Sequence, residues 1–157
     1  MKSRYKNIYK IARNCTNLTQ EQAAELLHIS PRSLSDYESG KTIPADDVVC
    51  KMIEIYGTDW LAYEHLKQST EIGKRYLPEI DFTDLARSVL RLQKEVRDLE
   101  YVNNDMIDIA CDGIVEGHET DKWQNVVKEI SEMAGAALAV VFSGGGQSVR
   151  NSFRSTI

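Results

Sequence analysis

The stretch Thr19 to Pro44, TQEQAAELLHISPRSLSDYESGKTIP, crowds the start and stop signals of two helices into so few residues that neither helix can be long. Thr19 followed three residues later by Gln22 is a capping box, and it opens QEQAAELL with Ala23, Leu26 and Leu27 as an inward stripe. After the brief turn HIS, Ser30 is a strong N-cap and Pro31 suits the first helical position, where its missing N–H loses nothing. This next helix runs to about Ser39, and Gly40 supplies a left-handed stop. Its outer positions carry small polar residues. Helices this short cannot stand alone, so they predict a compact helical bundle.

The flanking residues complete that bundle. Tyr5, Ile8, Tyr9 and Ala12 recur at helical spacing in a first helix from Tyr5 to about Asn14. Beyond Pro44, Asp46 and Asp47 suit a positive helix start, and Val48, Val49, Met52, Ile53 and Tyr56 form an amphipathic fourth helix ended by Gly57. Thr58 or Asp59 caps a fifth, with Trp60, Leu61, Tyr63 and Leu66 as its apolar positions. Nothing in this half of the chain alternates with period two. The polar passage with Gly73 and Pro78 reads as a linker.

Thr83 is expected to cap the next helix. From there Leu85, Val89, Leu92, Val96, Leu99, Asn103, Met106 and Ala110 step alternately by four and three, the seam of a coiled coil. Asn103 on that seam favours a two-stranded parallel pairing with its twin; the alternative is an intrachain hairpin with Asn103 at the rim. A second apolar helix starts near Thr120 and continues through Trp123, Val126, Val127, Ile130, Met133, Ala137, Leu138 and Val141. Within it MAGAALAVVF has a small face suited to close helix packing. Gly144-Gly-Gly ends it, and a flexible tail is expected to follow, since neither a preceding strand nor a GKS or GKT motif supports a phosphate loop. The division expected is a five-helix unit over 1–70, a linker over 71–82, a helical oligomerisation region over 83–143 and a tail over 144–157.

The net charge of -5 argues against a nucleic-acid partner only until it is divided. Residues 1–70 hold nine Lys or Arg against nine Asp or Glu, whereas residues 71–157 hold ten against fifteen. Lys2, Arg4, Lys6, Lys10 and Arg13 are unopposed by any acid in the first fourteen residues, a local positive field. The start MKSRYKNIYK lacks the apolar core of a secretory signal, and Ala134 to Phe142 falls far short of the roughly 20 residues that span a bilayer, so a cytoplasmic location and no membrane partner are expected. Cys15, Cys50 and Cys111 are odd in number and without CxxC spacing, which suggests neither disulfides nor zinc. His118, Glu119 and Asp121 read as a solvated loop rather than metal ligands, and His65 as a helix-end residue. No Ser-His-Asp or Cys-His arrangement suggests catalysis, so no enzyme and no cofactor are predicted.

Helix two, the HIS turn and the short polar helix three form the pattern of a helix-turn-helix, whose second helix lies in the DNA major groove. The residues from Thr19 to Pro44 resemble the Cro and phage-repressor type, often called the Xre family. That family has TQ opening helix two, an AxxL body, S-x-x-[I/L]-S around the recognition helix, [W/Y]-E-x-G at its end and a proline soon after; the likeness covers roughly residues 5–66, through Asp59-Trp-Leu. The resemblance implies an all-α, five-helix lambda-repressor-like domain, followed here by long helices in a coiled coil or bundle.

Carried residue by residue, the resemblance makes Gln20 a contact to DNA phosphate at a helix N-terminus and puts Lys41 and Thr42 on the backbone-gripping loop. Arg32, Ser33 and Asp36 fall where the family reads bases or adjacent phosphates. Arg32 can bridge guanine O6 and N7; Asp36 either accepts from cytosine N4 or orients Arg32 one turn away. Leu34 and Tyr37 are expected to face the core with Ala23, Leu27, Ile29 and Ile53, and Arg13 with Glu38 to form a structural, half-buried ion pair. Two departures stand out. His28 replaces a common glycine, and Pro31 replaces a polar base reader, leaving only apolar contact to a thymine methyl. The resulting expectation is a transcriptional regulator of bacterial or phage origin, most simply a repressor, bound to a palindromic double-stranded operator. It acts as a homo-oligomer, a dimer or a dimer of dimers, through a seam of Leu85, Val89, Leu92, Val96, Leu99, Asn103 and Met106. The competing class is an antitoxin or anti-regulator whose acidic C-terminal helices hold a protein partner.

Overall fold

The computed structural model of the chain describes residues 7–82 and 84–143. Among these residues all regular structure is helical: α1 (Ile8–Asn14), α2 (Gln20–Leu27), α3 (Pro31–Glu38), α4 (Asp46–Tyr56), α5 (Trp60–Ser69), α6 (Glu71–Tyr76), α7 (Leu85–Ala110) and α8 (Thr120–Ser143). The expected helical start at Tyr5, the cations Lys2, Arg4 and Lys6, the Thr83 cap and the tail 144–157 lie outside the described residues. The chain divides between Leu77 and Pro78 into two compact units.

In the first unit α1 to α5 close around a core of Ala12, Ala23, Leu27, Leu34, Val49, Met52, Tyr56, Trp60 and Leu61. Each buried large side chain removes apolar surface from water, a gain of about 1.5 to 3 kcal/mol. Local chemistry sets the ends. Asn7 caps α1 by accepting from the Lys10 N–H, Thr19 caps α2, Ser30 caps α3, and Gly57 takes a left-handed φ of 61° to stop α4. Two expectations of inward packing fail: Leu26 and Leu66 are half exposed, and on α2 Ala24 is buried in Leu26's place. About two turns of α2 offer a narrow arc to the core, and small Ala24 lets the neighbours approach more closely than Leu26 would. His65 is not a helix-end residue; it lies within α5, buried, with Nδ1 2.9 Å from the Tyr9 hydroxyl and Nε2 3.0 Å from Asp46 Oδ1.

The passage read as a linker contains α6. The Thr70 hydroxyl caps it by accepting from the Gly73 N–H at 2.8 Å, and Gly73 crosses α5 so closely that a Cβ there would run into the Leu66 carbonyl and come within 2.9 Å of Lys67 Cα. Lys67 Nζ then donates to the Leu77 carbonyl at 2.9 Å, tying the end of this unit to α5.

The second unit is an antiparallel hairpin of α7 and α8. The Ser88 and Ser143 hydroxyls meet at 3.1 Å near one end, and Lys122 Nζ donates to Asp105 Oδ1 at 3.0 Å towards the other. Asp84 caps α7 by accepting from the Arg87 N–H at 3.1 Å. The buried stripe of α7 is Ser88, Glu95, Val102 and Ile109, with Leu92, Leu99 and Met106 half-buried between them. This stripe also steps by four and three, but its alternate positions fall one residue before those of the seam read in the sequence, which turns the buried face by roughly 50°. Leu92, Leu99 and Met106 belong to both. Leu85, Val89, Val96, Asn103 and Ala110 stay exposed, so Asn103 is not a buried position of this hairpin. The small face of α8 has a use the sequence did not suggest. A Cβ on Gly135 would lie 2.8 Å from the Glu79 carbonyl oxygen, so at that point α8 admits the backbone at Glu79.

Candidate nucleic-acid interface

The two helices of the motif are joined by a turn whose shape rests on His28. Its φ of 56° and ψ of 40° are left-handed, the conformation a glycine would adopt most easily, and its N–H donates to the Glu25 carbonyl at 3.1 Å while that of Ile29 donates to Ala24 at 3.0 Å. The turn therefore keeps its shape with histidine in it, at the modest penalty a non-glycine residue meets there. On one side the capping box is closed in both directions, Gln22 N–H to Thr19 Oγ1 at 3.2 Å and Thr19 N–H to Gln22 Oε1 at 3.0 Å. On the other, Ser30 Oγ accepts from the Ser33 N–H at 3.0 Å.

Leu34 anchors the inner face of α3 with no exposure at all, Tyr37 is half-buried, and Pro31, Arg32, Ser35 and Ser39 point to solvent. Arg32 makes no hydrogen bond or ion pair among the described residues, which leaves its guanidinium free at the start of α3. Ser33 is half-buried, and its hydroxyl lies 2.8 Å from that of Ser30, so the cap already engages it.

Asp36 does not orient Arg32. Its carboxylate is held by Lys41, whose Nζ lies 3.1 and 3.3 Å from the two oxygens, and its main-chain carbonyl accepts from the Lys41 and Thr42 N–H groups and the Ser39 hydroxyl. Gly40, with a φ of 73°, turns the chain back so that the loop folds over Asp36. Lys41 and Thr42, both exposed, are thereby fixed beside the end of α3. The sequence signal for this arrangement is a carboxylate and a lysine five residues apart across a left-handed glycine, a spacing that regular helical geometry does not bring together.

Behind this surface Arg13 of α1 grips Glu38 of α3. Nε donates to Oε1 at 2.6 Å and Nη2 to Oε2 at 3.0 Å, while Nη1 donates to the Leu18 carbonyl at 2.6 Å. The pair is buried rather than half-buried. Its hydrogen bond to Glu38 holds the Arg13 guanidinium protonated even more firmly than usual. Gln20 Nε2 also donates to Glu38 Oε2, at 2.8 Å, which orients the Gln20 amide at the α2 N-terminus and leaves its second N–H for another acceptor. Asn7 adds a tie the sequence did not point to, donating from Nδ2 to the Tyr37 carbonyl at 2.7 Å.

Residues 6–61 match the family model described as helix-turn-helix, and the amino-terminal unit is a DNA-binding helix-turn-helix domain of the Cro/C1 type found in transcription regulators. No curated protein and no solved structure matches the chain. Among the described residues no helix is long and apolar enough to cross a membrane.

Proposed function

We propose that the protein is a sequence-specific transcriptional regulator, most simply a repressor, that occupies a palindromic operator as a dimer in the cytoplasm. The observation that carries this reading is the outer face of α3: an unpaired Arg32 among small side chains, on a helix capped at its start and anchored at its end through Glu38. A slender helix can enter the major groove, and Arg32 can take guanine O6 and N7 bidentately. Ser33 and the Pro31 ring would meet neighbouring base edges. Gln20, at the α2 N-terminus, and the Lys41–Thr42 loop flank this face and suit phosphate contacts that set register.

A single domain covers too few base pairs to select a site, so a second copy is needed. The exposed stripe of Leu85, Val89 and Val96, beside the shared positions Leu92, Leu99 and Met106, supports self-association of two hairpins into a bundle. The test is a selection of bound fragments from random DNA, followed by anisotropy titration at several salt concentrations. A recovered palindrome bound with steep salt dependence is the expected result; recovery of no preferred sequence would sink the operator reading. Copurification of a stoichiometric protein partner, with no DNA preference, would favour the anti-regulator class instead.

A further inference from the structure

The α7–α8 hairpin contains a group of carboxylates that neither its fold nor DNA binding explains. Glu95 of α7 and Glu129 and Glu132 of α8 converge so that one carboxylate oxygen from each lies within 4.8 Å of the other two. Glu129 and Glu132, three residues apart, share a face of their helix. Exposed acids often cluster without consequence, but Glu95 is not exposed: its side chain is 6 % accessible and its Oε2 is buried without a hydrogen-bond partner.

The nearby cations do not resolve this. Lys94 and Arg91 approach only the other oxygen of Glu95, at 3.5 and 3.8 Å, and Lys94 makes a shorter contact to Asp98. Lys128 reaches Glu129 at 2.9 Å and Glu132 at 3.5 Å from the solvent side, with more than half of its own side chain accessible. A buried carboxylate oxygen with no donor is a costly feature unless something fills the gap, and here it belongs to a side chain that converges with two further carboxylates.

We propose that Glu95, Glu129 and Glu132 form a binding site for a divalent cation of the calcium class, which clips α7 to α8. The donor set is all oxygen, with neither imidazole nor thiolate, and this selects a hard cation. Two oxygens on opposite sides of a calcium ion, each at about 2.4 Å, are about 4.8 Å apart, so the three carboxylates can close on one ion with small side-chain movements. A groove of about 290 Å³, lined in part by Glu129, Glu132, Asp98 and Asn125, opens beside them. It gives the ion access from solvent, and Asp98 and Asn125 offer further oxygens. Lys128 is the counter-ion of the metal-free state and is released to solvent on binding.

The test uses the full chain, stripped with a chelator and then titrated with calcium chloride by calorimetry and by thermal melting, with magnesium and manganese chloride as comparisons. Saturable binding of one ion per chain, accompanied by a higher melting temperature, is expected. Glu95→Gln keeps the shape and removes the buried charge. It should weaken binding at least about tenfold, the loss typical even of groups that only support a ligand, while its metal-free helical signal is retained. Asp105→Asn, a carboxylate on the same hairpin outside the cluster, should leave binding unchanged. Equal binding by the wild-type chain and Glu95→Gln would overturn the site by showing that ions merely gather on an acidic surface. So would a wild-type chain with no saturable binding at millimolar calcium.

Discussion

Arg13 and Glu38 join α1 to α3 by a two-point contact in which both side chains are buried, Nε to Oε1 at 2.6 Å and Nη2 to Oε2 at 3.0 Å. Because α3 carries the surface proposed to meet DNA, this contact would fix the recognition helix against the rest of its domain. Removing one partner strands a charge away from water. Arg13→Ala or Glu38→Ala should therefore each destabilise the domain by about 3 to 5 kcal/mol. Urea unfolding checks this, and a double variant less unstable than the sum of the two singles would measure the coupling.

Glu38 also holds Gln20, so the two proposed kinds of DNA contact separate cleanly only in folded protein. With folding verified, Arg32→Ala should lose about 1 to 3 kcal/mol of discrimination at one base pair, whereas Gln20→Ala should weaken every sequence alike. Competitive titration against operators altered one base pair at a time distinguishes them. Equal losses from both variants on all sequences would refute the division.

The Asp36–Lys41 ion pair makes a further distinction. If Asp36 mainly restrains Lys41, Asp36→Ala frees a cation for phosphate, raises affinity for all sequences and steepens the log–log salt dependence by about one. A loss confined to one base pair would instead identify Asp36 as a base reader. Lys41→Ala should flatten the same slope.

Burial holds the Tyr9 and Tyr56 hydroxyls protonated, pushing both from their ordinary 10.0 up to about 12. As pH rises the unfolded chain loses these protons first. Their contribution is therefore intact below about pH 10 and lost between pH 10 and 12. Tyr56→Phe, which removes a buried hydroxyl without a hydrogen-bond partner, should melt no lower than the wild type at pH 7 and lose less of its stability at pH 11. Melting curves across that range decide it.

Val89 and Val96 are each 39 % exposed on the hairpin. Val89→Asp with Val96→Asp should reduce the mass seen by light scattering while helical content is kept, if this stripe joins two copies. An unchanged mass would remove the stripe from the assembly.

What the sequence by itself determined is whatever a few neighbouring residues can settle. The capping box of Thr19 and Gln22, the Ser30 cap with Pro31, and the left-handed stop at Gly40 satisfy backbone groups within a turn of themselves, and so the helix-turn-helix could be read from its letters. Tertiary structure decided the rest. Two overlapping seams run along α7, sharing Leu92, Leu99 and Met106, and only the approach of α8 selects the one through Ser88, Glu95, Val102 and Ile109. Gly135 is small because the backbone at Glu79 passes over it, and Asp36 turns to Lys41 because Gly40 folds the loop back. These contacts depend on where distant segments meet, and periodicity along a single helix carries no record of its neighbour.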